Sequence, residues 1–131
     1  MTITTTPTKA EIADVLDKAI DVIDRVGWHR GYLYDEEQAE EGKALRDCPV
    51  CALGSISVAI CGSPTLGAGD RDIHEAVALA DAAAVAVARH VGVPPVPRQV
   101  AYWNDELQRT ADDVRNAFRD TAAELRAGAT A

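Results

Sequence analysis

Two cysteines close the run Asp47-Cys48-Pro49-Val50-Cys51-Ala52-Leu53-Gly54, and three chemistries use such a pair or one member of it. Structural zinc takes four Cys or His ligands, commonly as two close pairs. Cys48 and Cys51 make one pair, but Cys61, His29, His74 and His90 supply no second one. Cys61 also stands ten residues beyond Cys51, roughly 15 Å along a continuous helix. A thiol–disulfide pair at a helix start would use the helix dipole to favour a thiolate. That reading needs a buried strand running into Cys48, and the preceding Glu-Glu-Gly-Lys-Ala-Leu-Arg-Asp is not one. A single nucleophile asks for less: Cys51 in the first turn of a helix, His29 as base, and Asn104 or Asp105 to orient the base. The ordinary alternative is that Cys51 is a small buried apolar residue and that the run marks a helix start.

A second group of residues suits recognition rather than covalent chemistry. Trp28 and His29 follow Gly27, and Trp103, Asn104 and Asp105 precede Arg109. Two indoles with neighbouring amide, carboxylate and guanidinium groups could floor and edge a pocket for a ligand or partner. The simpler expectation is a pair of loops anchored by buried Trp, with Asn104 or Asp105 capping a turn.

The elements that must position these groups are mostly helices. Residues 1–7 read as a Thr-rich, flexible tail. Thr8 and Glu11 form a Thr-x-x-Glu capping box, and Ile12, Val15, Leu16, Ala19, Val22, Ile23 and Val26 recur at three and four, which predicts a helix over 9–26 stopped by Gly27. Tyr32 to Tyr34 suggest a short strand or ordered loop, followed by a charged loop or loose helical turn over 35–42. Pro49 suits a first helical position, which makes Cys48 the expected N-cap of a central, nearly all-apolar helix ending at Cys61 before Gly62. Asp72 and Glu75 cap a helix over 73–91 whose expected core face is Ile73, Val77, Ala80, Ala84, Val87 and Val91. Val-Pro-Pro-Val-Pro at 93–97 is an extended connector, with a helical turn over 98–103. Thr110 and Asp113 repeat the capping pattern for a last helix over 111–126, with Val114, Ala117, Phe118, Ala122 and Leu125 inward and Gly128 as its stop. The sum is a mainly α, single-domain bundle of about four main helices over 8–128 with a short β element.

Composition sets outer bounds. The 131 residues carry a formal net charge of −8, and the acidic balance opposes binding to phosphate backbones. Lys and Arg are scattered, and Arg98, Arg109, Arg115, Arg119 and Arg126 alternate with acids as on a solvated helical surface. No apolar run is long enough for a bilayer span, and the first residues show no secretory pattern. Three cysteines do not suggest a disulfide framework, so a reducing cytoplasm is expected.

Three stretches, VIDRVGWHRG (22–31), CALGSISVA (51–59) and AYWNDELQRTADDVRNAFRDTA (101–122), together resemble a small domain family of actinobacteria and their phages whose function is not established. Positions matching its pattern are Trp28, Cys51, Ala52, Leu53, Gly54, Trp103, Asn104, Asp105, Arg109 and Thr110, and Ser55 stands where the pattern usually has Ala. Cys48 lies outside the pattern, which disfavours any reading that needs both cysteines. The resemblance implies no activity and no cofactor. It implies an actinobacterial cytoplasm, or a host cytoplasm if the protein is phage-encoded.

The function expected from these readings is that of a small acidic binding or accessory protein, engaging a protein or a small ligand through Trp28, His29, Cys51, Trp103, Asn104, Asp105 and Arg109. Neither nucleic acid nor membrane is expected as a partner, no cofactor is implied, and self-association through the 73–91 helix or the last helix is an open expectation. The alternatives are a cysteine-dependent hydrolase or transferase (Cys51, His29, Asn104, Asp105) and a zinc-stabilised module using Cys48 and Cys51.

Overall fold

Thr8 and Glu11 start the first helix as their spacing predicts. Thr8 Oγ1 accepts the Glu11 amide at 3.1 Å, and Glu11 Oε1 accepts the Thr8 amide at 3.2 Å. The computed structural model describes residues 6–67 and 72–129, so residues 1–5 of the Thr-rich tail and 68–71 of the following loop region lie outside the described residues. Helix α1 spans Lys9–Val26, α2 Glu36–Glu40, α3 Ala52–Cys61, α4 Ile73–Val91, α5 Pro97–Asn104 and α6 Ala111–Ala129, with one 3-10 turn at Leu45–Asp47. The molecule is thus a mainly helical bundle, but its described residues hold six helices rather than four. The charged stretch after Tyr34 forms α2, whose first turn is capped by Asp35 accepting from the Gln38 amide at 3.2 Å. The turn expected over 98–103 is the full helix α5, with Pro97 at its first position.

The apolar stripe of α1 packs on α6 and α3, burying Ile12, Leu16, Ala19 and Ile23 against Phe118, Val114 and Ile56 in one core. α3 is buried nearly all round, as its composition predicts. Ser55 and Ser57 satisfy their hydroxyls within it: Ser55 Oγ donates to Ala52 O at 2.7 Å, and Ser57 Oγ donates to Ser63 O at 2.7 Å. α6 begins on a reciprocal Thr110–Asp113 cap, runs through Gly128 rather than stopping there, and leaves Leu125 half-buried. The Arg residues of α6 are not merely solvated. Arg115 pairs with Asp24 at 2.6 Å, a hydrogen bond that raises its pKa above the usual value, and Arg126 reaches Asp14 and Asp17 at 2.9 and 2.7 Å. These pairs tie α6 to the polar flank of α1.

Further details of the sequence reading resolve for identifiable reasons. The helix at Cys-Pro-Val-Cys starts at Ala52 with Cys51 as its N-cap, not at Pro49 with Cys48 as cap. Proline fixes φ near −65°, which suits an extended chain as well as a first helical turn, and it pushes the preceding residue to extended geometry. Cys48 sits there at φ −79°, ψ 147°. Of the two readings open at Tyr32–Tyr34, a short strand or an ordered loop, the chain takes the loop and forms no regular strand. Instead Val50 makes two isolated bridges, parallel to Trp28 and antiparallel to Tyr34. Finally, the buried face of α4 is Ala76, Leu79, Ala83, Ala84, Val87 and Ala88. Ile73 and Val77, expected in the core, are 42% and 38% exposed. Alanines recur on two faces of this helix, and the pattern alone does not say which face meets α3 and α6.

Candidate functional site: a polar latch beside an apolar cavity

The segment after α1 turns through Gly27, whose φ of 96° a side-chain-bearing residue rarely adopts. The chain then lies along Pro49–Cys51. Val50 N–H donates to Gly27 O at 3.0 Å, His29 N–H to Val50 O at 2.8 Å, Asp35 N–H to Pro49 O at 2.9 Å, and Cys51 N–H to Leu33 O at 3.2 Å. The proline sits where no amide is needed, and Val50 is fully buried at the centre of three extended runs. α3 leaves this junction at once, and it approaches Leu33 so closely that a Cβ on Gly54 would lie 2.0 Å from Leu33 O. Glycine at this position is therefore a steric requirement.

Asn104, at the end of α5, closes the junction. Its side chain is fully buried and makes four hydrogen bonds, the full capacity of a side-chain amide. Oδ1 accepts from the Trp28 indole N–H at 2.7 Å and from the Ala52 amide at 2.9 Å. Nδ2 donates to His29 O at 3.2 Å and to Asp105 Oδ1 at 3.0 Å. Asp105 Oδ1 also accepts the Gly31 amide at 2.8 Å. The Ala52 amide is one of the first-turn groups that a helix cannot satisfy itself, so Asn104 caps α3 from another helix. Cys51 caps it from within: its Sγ accepts the Gly54 amide at 3.4 Å.

The two indoles are covered by guanidinium groups. Arg109 lies 4.2 Å from the centroid of Trp103 and Arg30 lies 5.0 Å from that of Trp28. Arg109 Nε donates to Trp103 O at 3.0 Å, Arg109 pairs with Glu106, and Arg30 Nη2 donates to Arg109 O at 2.6 Å. The structure thus brings Trp28, Cys51, Trp103, Asn104, Asp105 and Arg109 together, as the sequence expected, and His29 joins through its backbone. These groups are occupied with one another. Arg30, Gly31 and Leu33 belong to the same junction and were missed: Gly31 and Leu33 act through backbone atoms and leave no side-chain signature, and the guanidinium of Arg30 reaches Trp28 and Arg109 O, the latter contact 79 positions away and outside any local spacing.

The thiols are placed for packing and capping. Burial pushes the Cys51 thiol above its ordinary range, the Asp105 charge adds to the shift, and the Gly54 hydrogen bond opposes it. His29 Nδ1 lies 4.0 Å from Asp35 Oδ2, and among the described residues no hydrogen bond joins it to Cys51. Cys48 is buried, its thiol directed to Ala44 O at 3.4 Å and likewise raised by burial. Cys61 contacts Ser63 O and Thr65 O, each at 3.6 Å. Among the described residues no three His, Cys, Asp or Glu side chains converge as metal ligands, and no helix is long and apolar enough to cross a membrane.

Two cavities flank Leu33. One, of about 170 Å³, is lined by Gly31, Tyr32, Cys51, Ala101 and Asp105 as well as Leu33. The other, of about 240 Å³, is more apolar and lies between α3, the 64–66 loop, α4 and the start of α5, where its walls include Leu53, Ile56, Leu66, Ala80, Ala84 and Pro97. The half of α4 that the sequence assigned to the core lies along this opening: Ala80 and Ala84 line it, and Ile73 and Val77 continue the same stripe into solvent.

Fold and junction define a small helical protein whose chain crossings are locked by one buried amide. The chain belongs to DUF6197, a family of unknown function whose model matches residues 7–124. Comparison with curated proteins and with solved structures gave no match.

Proposed function

We propose that the protein acts by binding, without catalysis, and that it takes up a small, largely apolar molecule in the cavity between α3, α4 and α5. The observation that carries this reading is the cavity itself, about 240 Å³ with walls that are almost wholly aliphatic. Ligand sites are concave and predominantly apolar, and an apolar cavity smaller than this one can hold a benzene ring. The latch serves the cavity indirectly. Leu33 is one of its walls, and Leu33 is fixed because its carbonyl is held by the Cys51 amide and its chain by the Asn104–Asp105 network. Trp28, Asn104 and Asp105 then act as positioning residues. In the actinobacterial or phage setting that the sequence resemblance suggests, this would be a cytoplasmic accessory factor that sequesters its ligand. The thiol-enzyme alternative has less support, since the Cys51 sulfur is engaged as a cap and its thiol is shifted away from the thiolate.

Toluene titrated into isotope-labelled protein should produce saturable amide shifts centred on Leu53, Ile56 and Ala80. The Ala80→Phe variant, whose ring fills the space from the solvent side of α4, should abolish them while remaining folded. Shifts that do not saturate, or that Ala80→Phe leaves unchanged, would remove the reading.

A further inference from the structure

Resting on the reading of this cavity as a small-molecule site, we infer that its ligand is a compact apolar body carrying one cationic group, which pairs with Asp81. Asp81 is the one charged residue in the lining. It sits on α4 between Ala80 and Ala84, and among the described residues no side chain or amide pairs with its carboxylate. Other exposed carboxylates, Asp21, Glu75 and Asp120 among them, are likewise outside ion pairs, but none of them lines this cavity, and Asp81 stands exposed at its rim.

The other polar side chains of the lining already have partners. Ser57 Oγ donates to Ser63 O, and Thr65 Oγ1 shares a hydrogen bond with Ser63 Oγ at 3.2 Å. The walls from α3 and α4 are helical, so their amides and carbonyls are committed within the helices and offer no strand edge to an incoming peptide. A peptide backbone placed here would lose water without gaining partners, which is costly. A small molecule with an aliphatic or aromatic body and a single ammonium would leave nothing unpaired. The net charge of −8 favours the same sign of ligand at longer range.

The test compares benzylammonium with benzyl alcohol, a neutral probe of nearly the same shape, by amide-shift titration at neutral pH and low salt. Both should bind wild-type protein at the cavity, and the ammonium should bind about threefold to fivefold more tightly, the range expected for a pair near the surface. Asp81→Asn should remove that advantage and leave benzyl alcohol unchanged. Raising the salt should have the same effect as the substitution. Equal binding of the two probes in wild type, or an ammonium preference that survives Asp81→Asn, would overturn the cationic assignment while leaving the cavity reading intact. If neither probe binds at the cavity, both readings fall.

Discussion

Replacing Asn104 with Ala should lower the free energy of unfolding by about 3 to 4 kcal/mol, a sizeable part of what holds a domain of this size together. The truncation removes one side chain but leaves several groups without partners. The Trp28 indole N–H and the Ala52 amide lose their acceptor, and His29 O loses its donor. Each such buried group costs about 1 to 3 kcal/mol when unpaired, and water entering the vacated space would recover part of the sum. Trp28→Phe, which removes a single donor, should cost less. The double variant should fall well short of the sum of the two losses, because both substitutions break the same bond. Chemical denaturation of the four proteins checks this. Additive losses would mean that the indole and the amide do not act as one unit.

Gly54→Ala should also be strongly destabilising, by about 2 kcal/mol or more, although alanine is the better helix former by about 1 kcal/mol. The added Cβ would meet Leu33 O at 2.0 Å and Leu33 C at 3.0 Å, both backbone atoms, with Val50 Cβ at 3.2 Å. Neither side can yield cheaply, because Leu33 O is held by the Cys51 amide and α3 is enclosed by the core. Gly128 in α6 provides the contrast. A Cβ there would meet only the flexible end of Lys9, at 3.1 Å from Nζ, so Gly128→Ala should be neutral or mildly stabilising. Melting curves of the two variants should move in opposite directions or differ widely in size. Similar small shifts in both would contradict the close approach of α3 to Leu33.

These two sites show where the sequence was legible. Most signals confined to one helical turn were read correctly: the Thr8–Glu11 box, the Asp72 cap and the Gly92 stop set the ends of α1 and α4, whereas Gly128 did not stop α6. Cys-Pro-Val-Cys was misread because a proline φ fits two backbones, and the choice depends on Gly27, His29 and Leu33 reaching Val50 and Cys51, a tertiary fact. The face of α4 was misjudged because alanine at nearly every second position satisfies more than one stripe. The gathering of Trp28, Cys51, Trp103, Asn104 and Asp105 was anticipated, partly through the resemblance of three separate stretches. Whether they formed an open pocket or an internal latch depended on hydrogen bonds between residues 52 and 76 positions apart, which no local spacing encodes.

Native-state hydrogen exchange at the Trp28 indole and the Ala52 amide tests the latch most directly. A first-turn helical amide ordinarily exchanges fast, since it has no partner within its helix. Here both hydrogens are shared with Asn104 Oδ1, and both should exchange only on near-global unfolding. The Trp103 indole N–H, which makes no hydrogen bond with a described residue and is not sealed from solvent, supplies the reference within the same molecule. The latch predicts exchange at Trp28 and Ala52 at least about a hundredfold slower than at Trp103, with that protection lost in Asn104→Ala. Comparable exchange at all three positions in the wild-type protein would contradict it.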